Sequence, residues 1–305
     1  MSAAPSGMPP IKLPDGYTGP LNLNPADGES RIIIYGYVPS LAANIAAVVC
    51  FLILLLAHVV WLFRYRGTRI FQFLLSLSCL MEVIGYAFRA MSHKNPFVVM
   101  RFVLNYFFIV CAPIFISAAI YLGLARLLPV VPSNASPLSA KALVTSFIAI
   151  DTVTIVTQVV GAALVGSGYS AQAKNNIPPM DPEDANWILV AGLSVQTLAS
   201  VIFIAIMVRV MISTRGTVAA AGVWNVLWVL LISDLLIVLR TIFRLAEGAD
   251  GAFGSISGNQ SLFIALEMVP VIIAVALWVL VPLGKWSVYW DTHASDKEAR
   301  SSNSV

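Results

Sequence analysis

Eight ionisable side chains fall inside stretches that are otherwise hydrocarbon: the acids Glu82, Asp151, Asp234 and Glu267, and the arginines Arg89, Arg101, Arg240 and Arg244. On a helix turning about 100° per residue, Glu82, Tyr86 and Arg89 stand at i, i+4 and i+7, so an acid, a phenol and a guanidinium turn toward one neighbour. Arg240, Arg244 and Glu247 repeat that spacing, with Asp234 less than two turns before them. Asp151, Thr154 and Gln158 make a further polar stripe, and Gln196 lies near the middle of another apolar run. A charge left facing lipid costs roughly 2.5–3.5 kcal/mol on an insertion scale, so these groups must turn inward and pair or line a wet cavity. Three roles are open to them. They can hold the polar head of an amphiphile, donate a proton from a buried carboxyl (Glu82, Asp151 or Glu267), or fix which helix packs where. Their depth, mostly at the midplane or in one half of the bilayer, implies a shared pocket that opens toward the outer leaflet.

The elements that must position them follow from composition. Of 305 residues, 59% are hydrophobic and 11% charged, and the mean hydropathy is +0.86. These values describe an all-α, polytopic membrane protein. Apolar runs over 36–62, 70–91, 98–126, 138–165, 186–212, 219–244 and 261–284 are each long enough to cross about 30 Å of hydrocarbon as a helix, which predicts a seven-helix bundle spanning 35–286. Pro113 and Pro270 fall inside the third and seventh runs, where each removes a backbone hydrogen bond and predicts a kink beside the polar interior. Arg64, Arg66, Arg69, Arg126, Arg209 and Lys285 belong to the basic-rich side, so the positive-inside rule predicts an outer N-terminus and a cytosolic C-terminus. Tryptophans near the run ends, Trp278 and Trp290 among them, read as headgroup anchors. Residues 1–34 lack the basic start and apolar stretch of a signal peptide and read as a loose polar extracytoplasmic tail, and 287–305 as a short cytosolic tail.

Other chemistry is poorly supported. The net charge of +3 is scattered over many loops and carries no nucleic-acid signal. Cys50, Cys79 and Cys111 lie singly in three runs and imply no disulfide framework. His58 is the one histidine within a run, which argues against a bis-histidine haem; no metal-ligand spacing, nucleotide loop or Ser/His/Asp set is present, so no cofactor or metal is expected.

Several motifs occur in order: Glu82 to Arg89, Ala112-Pro113 to Tyr121 and Arg126, Asp151 to Gln158 and Gly161, Gly192 to Gln196, and Arg240 to Arg244 and Glu247. Together they resemble the fungal lipid-translocating exporter family, whose members are associated with aminocholesterol resistance and sphingoid long-chain-base release, and the resemblance covers about residues 35–285. Departures concentrate in the seventh run. Asn259-Gln260 stands where the family has His-Glu, Ile264 where it has tyrosine and Pro282-Leu-Gly284 where it has His-Pro-Gly, while Glu267 and Pro270 match; Asn105 replaces a glutamine and Ala162 a glycine. The resemblance implies a multi-pass protein of the plasma membrane or an endomembrane. It would export, flip or confer tolerance to a lipid-like amphiphile: a sterol, a sphingoid base or a hydrophobic secondary metabolite. Two other classes stand beside it: a membrane-embedded isoprenoid cyclase or isomerase using Glu82, Asp151 or Glu267 as acid, and a lipid-sensing receptor.

Overall fold

In a computed structural model, residues 17–132, 135–173, 176–215, 222–251 and 254–290 are described. Among them are seven helices long and apolar enough to cross a membrane. They are α1 (Leu41–Arg64), α2 (Arg69–Met91), α3 (Val99–Leu127), α4 (Ala140–Ala173), α5 (Pro182–Thr214) and α6 (Val223–Asp250), then α7. Helix α7 begins as Gln260–Phe263, passes through a π turn at Ile264–Met268 and continues as Val269–Leu280.

Local chemistry sets the helix starts. Pro39-Ser40 moves the start of α1 to Leu41, with Ser40 Oγ accepting from the Ala43 amide. Asp181 caps α5 ahead of Pro182, whose missing N–H is no loss in a first turn. Asn259 Oδ1 accepts from the amides of Ser261 and Leu262 at the start of α7. Gly222, before α6, has φ +82° and the Trp286 ring where a Cβ would stand, so no other residue fits there. Helices α4, α5 and α6 overrun the apolar stretches that announced them, because polar residues such as Glu183, Asp184 and Glu247 end the hydrophobic pattern without breaking the helix.

Each helix packs on its neighbour in sequence, α7 returns to α1, and α3 also touches α6 across the bundle. The outward faces are hydrocarbon: Ile53, Leu56 and Val60 on α1 and Val153, Val156 and Val160 on α4 are all exposed, as lipid in place of water demands. Small residues let backbones approach. A Cβ added at Gly161 would lie 2.8 Å from the Leu189 nitrogen of α5, and one at Gly85 2.7 Å from Ile109 of α3.

Two expectations change at the ends of the bundle. Residues 1–16 and 291–305 lie outside the described residues, but 30–34 do not form a loose tail: Ser30, Ile32 and Ile33 are fully buried. The Ser30 amide donates to Phe97 O (2.8 Å) and the Val99 amide to Gly28 O (3.1 Å), so this segment is stapled to the α2–α3 turn. Trp278 and Trp290, expected at the headgroups, are buried; Trp278 meets Phe71 edge-on at 4.9 Å. Trp187 and Trp228 do face outward.

Candidate functional site

The structure does not gather the intramembrane charges into one recess; it sorts them into layers. The first centres on Glu267, 1% exposed, in the π turn of α7. Its Oε1 accepts from Arg240 Nε (2.9 Å) and Nη2 (2.6 Å) and from Arg244 Nη2 (2.9 Å), and its Oε2 accepts from Arg244 Nε (2.9 Å). Two guanidiniums one turn apart on α6 thus clamp a single carboxylate. Arg244 also gives Nη1 to Glu247 Oε2 at 2.8 Å, the i+3 position of its own helix.

Two prolines prepare this clamp. Pro113 has no N–H for the Ile109 carbonyl four residues back, and Arg240 Nη2 donates to that carbonyl at 3.1 Å. In α7, Pro270 cannot continue the normal ladder, and just before it the Val269 amide reaches back five residues to Ile264 O, the bond that defines the π turn carrying Glu267. Pro113 thus releases a backbone carbonyl to the polar interior, whereas Pro270 directly follows a π turn. The π turn itself was not foreseen; Pro270 beside a buried acid was the one signal for it.

From α2, Glu82 (1% exposed) lies within electrostatic reach of Glu267, Arg240 and Arg244, yet its Oε2 finds no hydrogen-bond partner among the described residues. Tyr86 stacks on Phe51 at 5.7 Å, and both residues are buried. Arg89 completes the face, donating to the Tyr37 hydroxyl and lying over the rings of Phe263 (3.9 Å) and Tyr35 (4.9 Å). All three side chains of the i, i+4, i+7 face are buried, but they meet different neighbours: Tyr86 the Phe51 ring of α1, Arg89 the N-terminal segment and α7, and Glu82 the charges of α6 and α7.

A cavity of about 120 Å³ opens beside this layer, at the end of the bundle that carries the N-terminal segment. Arg89, Arg244 and Glu247 supply its charges, Asn105, Tyr106 and Asn186 its neutral polar groups, and Phe102, Ala162, Leu189 and Phe263 much of its apolar wall. Tyr35 and Tyr37 close it from the N-terminal segment. Burial pushes both phenols above the usual tyrosine range, against the opposing pull of Arg89. Sequence reasoning did not name these two as site residues, because they lie at the edge of the first apolar run and not among the charges within the spans.

The second layer is acidic. The Tyr121 hydroxyl donates to Asp151 Oδ2 at 2.9 Å, between α3 and α4. Asp234 of α6 is 2% exposed and electrostatically coupled to Asp151, and its Oδ2 has no hydrogen-bond partner among the described residues. It sits about 9 Å along α6 from Arg240, so Asp234 does not join the clamp. A third group is neutral: Gln158 Nε2 donates to Gln196 Oε1 at 2.6 Å and ties α4 to α5 where Gly192 lets them meet. Arg101 stands apart from all three. Its Nη1 caps the last turn of α2 at Met91 O (2.9 Å), near the α2–α3 turn.

Residues 75–287, well over half of the chain, match the family described as RTA1 like protein. The chain belongs to the RTA1-like family. Among its relatives, the sphingoid long-chain base transporter RSB1 of Saccharomyces cerevisiae is 32% identical over 197 residues, covering 62% of this chain and 49% of RSB1. The chain thus spans about half the length of that relative. Protoporphyrin uptake protein 1 of Saccharomyces cerevisiae is 25% identical over 286 residues, covering 81% of this chain and 91% of that protein. Protein RTM1 of the same organism is 25% identical over 212 residues, covering 68% and 65%. No solved structure matches. With seven membrane-length helices, this RTA1-like chain is an integral, multi-pass membrane protein.

Proposed function

We propose that this RTA1-like protein exports or flips a lipid-like amphiphile, or confers tolerance to one, by seating its polar head in the cavity beside Arg89, Arg244 and Glu247 while the tail stays among the helices. The observation that carries this reading is a cavity at one end of the bundle whose lining combines the charged groups of Arg89, Arg244 and Glu247 with the apolar side chains of Phe102, Ala162, Leu189 and Phe263. Its 120 Å³ is small beside the roughly 300–1,000 Å³ of sites that enclose a whole drug-sized ligand, which suits a head group rather than an entire lipid. Relatives named for moving a sphingoid base and for taking up a protoporphyrin support transport of amphiphilic molecules in this family.

The enzyme reading needs an acid that faces a substrate. Glu82, Asp151 and Glu267 are absent from the cavity lining, and both oxygens of Glu267 are engaged by guanidinium donors. No observation favours that reading over transport.

The test is release of amphiphiles from yeast cells lacking RSB1 and carrying this chain. Wild type should raise release and growth under amphiphile stress. Ala162→Phe, which fills the cavity from α4, should abolish both at unchanged protein level. A new compound in the lipid extract without altered release would overturn the proposal in favour of an enzyme.

A further inference from the structure

We infer that the cavity selects amphiphiles with an anionic head, a carboxylate or a phosphate monoester, and that Arg89 is the residue that binds it. This rests on the reading above that the cavity holds a head group. Three arginines reach the first layer, and two are neutralised: Arg240 and Arg244 share Glu267, and Arg244 also holds Glu247. Arg89 has no carboxylate partner among the described residues. Its contacts are the Tyr37 hydroxyl and the faces of Phe263, Tyr35 and Tyr37, the last at 5.7 Å.

Ring faces stabilise a guanidinium but bring no negative charge. A guanidinium carries five N–H donors in a planar fork, and the single phenol leaves most of them unused. Arg89 is 5% exposed and lines the cavity, so those donors face the cavity and little else. An anion there would complete an ion pair in a water-poor site, with both of its oxygens matched to the fork. A cationic head would meet the opposite situation. Arg89 would repel it, and Glu247, the one acid on the wall, already accepts from Arg244 at 2.8 Å. A cation would find only a carboxylate that already shares its charge with Arg244, whereas an anion meets in Arg89 a guanidinium with no carboxylate partner among the described residues.

The experiment compares dodecanoate, dodecyl phosphate, dodecylamine and dodecanol, which share a chain and differ in the head, for binding to the purified full chain in nanodiscs. Both anions should bind about tenfold or more tighter than the alcohol, the margin expected of a charged hydrogen-bond pair, and the amine should bind weakest. Arg89→Gln should remove the anion preference while leaving dodecanol binding in place, and Arg89→Lys should retain part of it. The head-group ranking on the unmodified protein decides the matter even if Arg89→Gln fails to fold. Equal or tighter binding of the amine or the alcohol would overturn the anionic assignment alone. Binding of none of the four would overturn the amphiphile reading with it.

Discussion

Glu267 holds two arginines of α6 with four hydrogen bonds, and removing its charge strands both. Breaking a buried pair by deleting one partner costs about 3–5 kcal/mol, because the surviving charge remains buried. Glu267→Gln should therefore lower the thermal stability of the purified protein sharply, while Glu247→Gln, whose partner keeps Glu267 and whose side chain is 21% exposed, should cost about 1 kcal/mol or less. Melting curves of the two variants side by side would show the difference. At this scale the sequence identified which residues are costly in lipid but not which pair together. Helical spacing on one segment orders Glu82, Tyr86 and Arg89 along a face, and it also sets Arg244 beside Glu247. It says nothing about the rotation of α7 against α6, which places Glu267 between Arg240 and Arg244 and leaves Asp234 with Asp151.

Among the elements, α3 is tuned by Pro113. Pro113→Ala would return an amide to the Ile109 carbonyl and so compete with Arg240 for it. The expected outcome is a helix at least as stable by itself but a weaker clamp, read as reduced amphiphile release at normal protein level. The N-terminal segment offers a second test. Asn95 Nδ2 donates to Glu29 Oε1 at 2.6 Å, and this bond, with the Ala26 amide, Asn22 and the nearby Arg101 charge, holds the Glu29 carboxyl below its ordinary value of 4.5. Because the folded value is depressed, the staple is strongest above the ordinary value and weakens as pH falls through the folded one. Amide exchange of the segment should accelerate across that acid range in the wild type, and Glu29→Gln should flatten the dependence. The seven spans were legible because continuous apolar length is enough to announce them. Their overruns and the burial of residues 30–34 were not, since helix continuation past the lipid and docking of a polar segment leave no hydropathy signal.

For the molecule as a whole, the arrangement departs from a soluble protein: valines and isoleucines face outward as well as filling the core, and acids, arginines and glutamines sit within. Family membership was legible from ordered motifs, and most of the residues in them prove to be interior contacts between helices. The cavity was legible only in part. Arg89, Arg244 and Glu247 were among the candidates named from the sequence and line it, whereas Tyr37, Tyr106, Asn186 and Phe263 come from four separate elements that only the closed bundle brings together. The π turn adds a final consequence. Its five-residue bond sets the stretch beginning at Gln260 out of phase with Val269 onward by roughly one residue, about 100° of rotation. The placement of Glu267 therefore depends on the count of residues around the helix axis as well as on its identity, so an acid supplied one position earlier or later would point at a different neighbour and could not stand in for it.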